Sequence, residues 1–278
     1  MAFPDPEVCV FCGTPGADTE LGHLSVEHAF PAWIPRRLNP QSEVVWRLND
    51  RVLPDRNVFE VEIPAVCEPC NTNWMDRIEK KISRWIGPSL NDGHRVLTLD
   101  QHQREVLGAW AVKTALMVEL ALRELRRPSF APESHFRWLY AHADAPTPPV
   151  GAQIWMFGVN QPFGPGRWLQ IASAQALTLA PAAPGVPPAY FSTFHAGLVG
   201  LQVFGPDAEA LQPGVIPPPL PVPAVVAPAL FQVWPAPAKP PIKWPPKPPH
   251  RIVDTADMDT FAQWPRAVTR PFPLSGAG

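Results

Sequence analysis

Residues 67–79 read CEPCNTNWMDRIE, and this stretch decides the fold. Cys67 and Cys70 stand three positions apart, Asn71 follows at once, and a helical pattern begins. Across 73–86 the apolar residues Trp74, Ile78, Ile82 and Trp85/Ile86 recur at helical spacing, and Gly87-Pro88 stops the run. The opposite face carries Arg77, Lys80, Lys81 and Arg84. A matching pair, Cys9 and Cys12, lies upstream. Each C-x-x-C knuckle bends two thiolates toward one point, and two knuckles together offer the four sulfurs of a tetrahedral structural Zn²⁺. The 54 residues between them form a long insertion, but closure cost grows only logarithmically with loop length. Two disulfides or four unpaired thiols are the competing readings.

Bulk composition narrows the choice. The chain has 278 residues, 46% of them hydrophobic, enough for one large domain or two small ones. A net charge of −2 excludes a whole-molecule basic field, so nucleic acid must be bound by a local patch. No apolar run reaches transmembrane length, so no membrane partner is expected. The start, MAFPDPEVCVFCG, lacks the basic end and apolar stretch of a signal peptide. A cytoplasmic protein is therefore expected. Thiols stay reduced in that compartment, which favours metal over disulfides for the two cysteine pairs.

Between the knuckles lies SVEHAFPAWIP, residues 25–35, with Glu27 and His28 adjacent and Pro31 three positions on. The order CxxC, acidic-His-x-x-Pro, CxxC-Asn resembles the HNH, or ββα-metal, endonuclease family, and most closely its zinc-stapled, phage recombination endonuclease VII type. The resemblance covers about residues 9–80. It implies a hairpin bearing the acidic-His pair, a helix packed against it, and zinc on Cys9, Cys12, Cys67 and Cys70 clamping the two. Glu27 and Asn71 would then converge as hard oxygen ligands for a catalytic Mg²⁺ or Mn²⁺. His28, adjacent on the strand, would point away from Glu27 and act as general base. The implied activity is metal-dependent endonucleolytic hydrolysis of DNA phosphodiester bonds, with RNA as a second substrate class. Arg36, Arg37, Arg77, Lys80, Lys81 and Arg84 are the nucleic-acid-binding residues of this reading, although a basic helix face is more often simply solvated. The sequence departs from the family in two places. The acid is Glu where many members have Asp, and Asn57, ten residues before Cys67, is the nearest match to the family's central Asn.

A blander account fits the same residues. Asn71 can cap a helix, Glu27 can pair with Arg36 or Arg37, and His28 can be structural. The alternative function is thus a non-catalytic, zinc-stabilised nucleic-acid- or protein-binding module.

The fold class expected is α+β: a zinc-stapled ββα-metal module over 1–90, a long core helix over 91–128, and a Pro-rich, antiparallel β-containing region of unknown role over 129–278. Residues 58–63, VFEVEI, alternate with period two and read as a strand. Asp100 and Gln103 have capping-box spacing at the start of a helix that runs to Pro128 and is buried on two sides. A short helix is expected over 133–142, strands over 152–159, 167–180 and 189–205, and another short helix near 256–264. Of 40 prolines, 30 lie in 128–278 and 15 in the 37 positions 213–249. That density forbids long helices and central strands there. An extended strap anchored by Trp234, Trp244 and Trp264 is expected instead.

Overall fold

A computed structural model describes residues 8–15, 24–38, 43–48, 51–53, 62–92, 95–124, 131–160, 171–179, 188–210, 219–236, 242–244, 253–254, 261–262 and 264–265. The elements mix helices with mostly antiparallel sheets, an α+β architecture. The main apolar core packs around helix α4 (Gln101–Glu124), whose residues 106–121 are buried on every side. Its start is the expected capping box: Gln103 N–H donates to Asp100 Oδ1 at 2.8 Å, and Asp100 N–H donates to Gln103 Oε1 at 3.0 Å.

On one side of α4 lies a two-stranded antiparallel ribbon, β1 (Leu24–His28) with β4 (Glu62–Cys67). Between them in sequence come a short helix, α1 (Trp33–Arg37), and strands β2 (Glu43–Leu48) and β3 (Arg51–Leu53). Of the strand expected over 58–63, residues 62–63 lie in β4, which continues to Cys67, while 54–61 lie outside the described residues. Pro64 fits because the register slips beside it: Ser25 pairs Val66 while Val26 pairs Pro64. That slip frees the Ala65 carbonyl, which accepts from Val10 N–H at 3.0 Å and docks the first knuckle onto β4.

Helical backbone then begins inside the second knuckle, earlier than the apolar period implied. α2 (Glu68–Cys70) runs into a π-helical turn (Asn71–Met75) and on into α3 (Asp76–Trp85). Asn71 is therefore inside the helix and is not its N-cap. A 3₁₀ turn, Gly87–Leu90, ends the run, and β5 (Leu97–Leu99) leads into α4.

Beyond α4, helix α5 (Glu133–Ala141) precedes strands β6 (Gln153–Asn160), β7 (Ile171–Leu179), β8 (Ala189–Ala196) and β9 (Val199–Pro206). The single strand expected over 189–205 is a hairpin, turned at Gly197 with φ +56°. A Cβ there would lie 2.1 Å from the Leu90 carbonyl oxygen, so glycine is required twice over. The main sheet runs β10-β6-β9-β8-β7-β2-β3, where β10 is Phe231–Trp234. β2 joins β7 in parallel, so part of the insertion between the knuckles extends a sheet built mainly from the second half of the chain.

The described parts of the Pro-rich tract, 219–236 and 242–244, behave as a strap. β10 adds to the sheet edge at β6, and β11 (Ile242–Trp244) pairs with β5. The buried Arg104 of α4 donates to the carbonyls of Gln232 and Val233 at 3.2 and 3.3 Å, fixing the strap to the helix. Trp244 and Trp264 are buried and Trp234 packs on the core, as anchors should. A short β12 (Val253–Asp254) lies parallel to β6. Near 256–264 only pieces of helical backbone are described, at 261–262 and 264–265. One continuous apolar core contains residues from all three spans read in the sequence. Among the described residues, no helix is long and apolar enough to cross a membrane.

Candidate metal centre and basic cleft

The two knuckles meet. The Sγ atoms of Cys9, Cys12, Cys67 and Cys70 all lie within 4.8 Å of one another, and Cys12 and Cys67 are 3.6 Å apart. A tetrahedral Zn²⁺ with bonds of about 2.3 Å sets its sulfurs roughly 3.8 Å apart, so the donor set fits zinc. No disulfide links the four thiols. The first knuckle is a tight turn in which Gly13 N–H donates to the Cys9 carbonyl at 2.8 Å, with Gly13 at φ +74°. Phe11 wedges the turn into the core by edge contacts with Trp74 and Phe136, centroids 5.1 and 5.2 Å away.

Electrostatics point the same way. A hydrogen bond from Cys70 holds the Cys9 thiol far below its ordinary value, at about 4. Burial, followed by the charge on Cys9, pushes Cys67 up to about 11. Cys70 is raised further still, first by its bond to Cys9 and then by burial. One thiolate, that of Cys9, is thus tolerated while Cys67 and Cys70 hold their protons. A dication at the centre removes that restriction, because four thiolates repel one another unless a cation balances them.

The ribbon and helix carry the remaining expected residues. Glu27 pairs with buried Ile63 and is itself buried. His28 pairs with exposed Glu62 and is half-buried, on the other face of the strand. Asn71 Nδ2 donates to Ser25 Oγ at 3.3 Å, and Ser25 in turn donates to the Val66 carbonyl at 2.8 Å, tying helix to ribbon. Asn71 therefore meets β1 two residues before Glu27.

What Glu27 meets is Lys113, a residue the sequence reading passed over. Lys113 Nζ donates to Glu27 Oε1 at 3.1 Å and to Glu79 Oε1 at 2.6 Å. Only 2% of the Lys113 side chain is exposed, against 10% for Glu27 and 19% for Glu79. Burial opposes the charge on Lys113, but Glu79 and Glu27 together outweigh it and hold its pKa above the ordinary lysine value. Burial raises the pKa of Glu79, and Lys113 offsets part of that rise. Glu27 thus pairs with Lys113 rather than with Arg36 or Arg37. A signal was present in the sequence: Lys113 interrupts the apolar run VLGAWAVKTALM, and a lysine buried on such a helix needs a carboxylate.

A cation, the Lys113 ammonium, already stands on Glu27 Oε1 and opposes a divalent ion there, whereas Asn71 donates to Ser25 through its amide nitrogen, a bond that leaves its amide oxygen untouched. Asn57, the other residue weighed from the family pattern, lies outside the described residues.

The basic residues divide between two places. Arg36, Arg37, Lys80 and Arg84 line one cleft of about 510 Å³ between α1 and α3, with Ala32, Trp33, Ser83, Asp76 and Glu79. Lys80 pairs with Asp76 at 2.6 Å within the cleft, and Arg36, Arg37 and Arg84 are exposed. Arg77 points elsewhere, to Asp144 at 3.0 Å beside the cysteine cluster, and Lys81 is exposed outside the cleft lining. Glu79 joins the parts: it lines the cleft and binds the lysine that binds Glu27. Comparison with family models, with curated proteins and with solved structures finds no match for this chain.

Proposed function

We propose that the zinc-clamped ribbon and helix form an endonuclease module of the HNH, or ββα-metal, kind, which hydrolyses phosphodiester bonds in DNA. The observation that supports it is the meeting of the two knuckles, which ties the strand carrying Glu27 and His28 to the helix carrying Asn71. Zinc on the four cysteines supplies structure. The basic cleft holds backbone phosphates through Arg36, Arg37 and Arg84.

His28 removes a proton from water, and the new O–P bond forms as the bond from phosphorus to the 3′ oxygen breaks. The leaving oxygen takes a proton from solvent, giving a 5′-phosphate and a 3′-hydroxyl. The resemblance also implies Mg²⁺ or Mn²⁺ on Glu27 and Asn71. Such an ion would polarise the phosphate and stabilise the leaving oxygen, whereas in the structure Lys113 stands on Glu27. Incubation with supercoiled plasmid tests the reading. Wild type nicks it, and His28→Ala slows nicking by about 10²–10⁴-fold, the usual contribution of a general base. No nicking by wild type, or equal nicking by the variant, rejects catalysis.

One observation favours a second reading, a zinc-stabilised nucleic-acid-binding module without catalysis: the acid of the Glu27–His28 pair is neutralised by an internal cation. That reading expects salt-dependent duplex binding with a slope near −0.9 in log K per phosphate engaged, and no nicking. Single-stranded and duplex RNA competitors separate DNA from RNA as the ligand.

A further inference from the structure

We propose that Lys113 is the built-in cation of the Glu27–Glu79 site, and that its ammonium keeps Mg²⁺ and Mn²⁺ away from Glu27 in the native protein. The inference deepens the nuclease reading and rests on it only for the meaning of the site, since the geometry stands by itself. Glu27 comes from β1, Glu79 from α3 and Lys113 from α4, so three separate elements place one ammonium between two carboxylates.

A hard divalent ion bonds its oxygens at about 2.0–2.2 Å and keeps several waters. Bound to the Glu27 oxygen that Lys113 now uses, it would stand against the ammonium. A doubly charged ion there is repelled about twice as strongly as a second ammonium would be. Displacing Lys113 is also resisted, because its charge would then stay buried without a partner. Two carboxylates and one lysine leave a net negative charge, and the cleft above Glu79 brings Arg36, Arg37 and Arg84 toward it. The protein thus supplies with its own side chains the positive charge that a metal would bring. Lys113 acts through Glu27 and Glu79, so it is a positioning residue.

Mn²⁺ titration of the zinc-loaded full chain, read by the electron paramagnetic resonance of free Mn²⁺, decides the matter. Wild type is expected to show no Mn²⁺ site that depends on Glu27 or Glu79. Lys113→Met should gain one, tightening Mn²⁺ binding by about tenfold or more. Adding Glu27→Gln to that variant should abolish the gain. A wild-type Mn²⁺ site lost in Glu27→Gln or Glu79→Gln overturns the proposal, as does a folded Lys113→Met that gains none. Should Lys113→Met fail to fold, by its circular dichroism, the wild-type titration against the two Gln variants still decides. The same samples in divalent-free buffer, zinc content verified, give a second readout. Nicking that needs added Mg²⁺ counts against Lys113 as the cation. An absence of nicking in every buffer rejects the nuclease reading and leaves the Mn²⁺ result standing.

Discussion

The cysteine-clamped ribbon and helix and the large sheet solve the same stability problem by different means. In the sheet, β6, β8 and β9 are buried along nearly their whole length. Aromatic side chains such as Phe157, Phe191 and Tyr190 fill the space between layers, and apolar burial carries the fold. The ribbon has two strands of five and six residues, too few to stand alone in water. It is held from three sides by discrete devices: four sulfurs at one end, the Asn71–Ser25 bond in the middle, and the Glu27–Lys113–Glu79 cluster where it meets α4. Area-driven stability is spread over many residues and tolerates change. Device-driven stability is concentrated, so single substitutions should act very unequally on the two regions.

The sharpest break in that comparison is loss of the four-sulfur cluster. Cys67→Ser, or zinc chelation, should remove stabilisation on the order of 10 kcal/mol from the ribbon and knuckles, comparable to the whole stability of an ordinary domain. Limited proteolysis should then cut first within 8–92, and metal analysis should show zinc lost in step. Protection of that region after zinc removal would mean that packing on α4 alone suffices.

Lys113→Ala comes next. It leaves Glu27 and Glu79 buried against each other, and about 3–5 kcal/mol should be lost in urea denaturation. A smaller cost would show that water reaches the pair.

The sheet has its own weak point, in acid. Burial depresses both His135 and His195 to about 4. In the fold, His135 sits neutral between the Tyr190 hydroxyl and the Pro206 carbonyl, each 3.1 Å away. The unfolded chain takes up these protons near pH 6.5 and the native state does not, so stability is full above that pH and falls as pH drops toward 4. Each histidine should contribute about 3 kcal/mol to that loss. Melting temperatures between pH 7 and 4, with His135→Gln for comparison, check it: the variant should flatten the profile.

The smallest effect concerns α4, which serves both regions. Asp100→Ala removes half of the capping box and should cost about 1 kcal/mol. The loss should register equally in probes of the ribbon and of the sheet if the shared core makes them unfold together.

These regions also differ in how far they could be read. The cysteine knuckles, the helix after Cys70 and the capping box at Asp100 are local signals, since spacing of a few residues fixes their geometry whatever lies around them. Strand positions in the sheet were close for the same reason, and the hairpin at Gly197 was missed because apolar residues continue across it. The register of β4 was hidden because Pro64 reads as a strand breaker until a bulge beside it is known. The parallel pairing of β2 with β7 joins residues more than a hundred positions apart and leaves no periodic trace. At the candidate site, Glu27, His28 and Asn71 stand out by their pattern, whereas Arg36, Arg37, Lys80 and Arg84 share a cleft, without Arg77 and Lys81, only once α1 and α3 are set side by side.

The sequence by itself determined the four cysteines that could hold a metal, the α+β balance and the long central helix, because thiol chemistry and hydrophobic period act over short spans. Tertiary structure alone decided which cation Glu27 meets. Lys113 lies 86 positions away and Glu79 another 34 from Lys113, and three elements must pack before their charges can sense one another. Charge pairing across a core depends on distance in space, which a linear pattern does not carry.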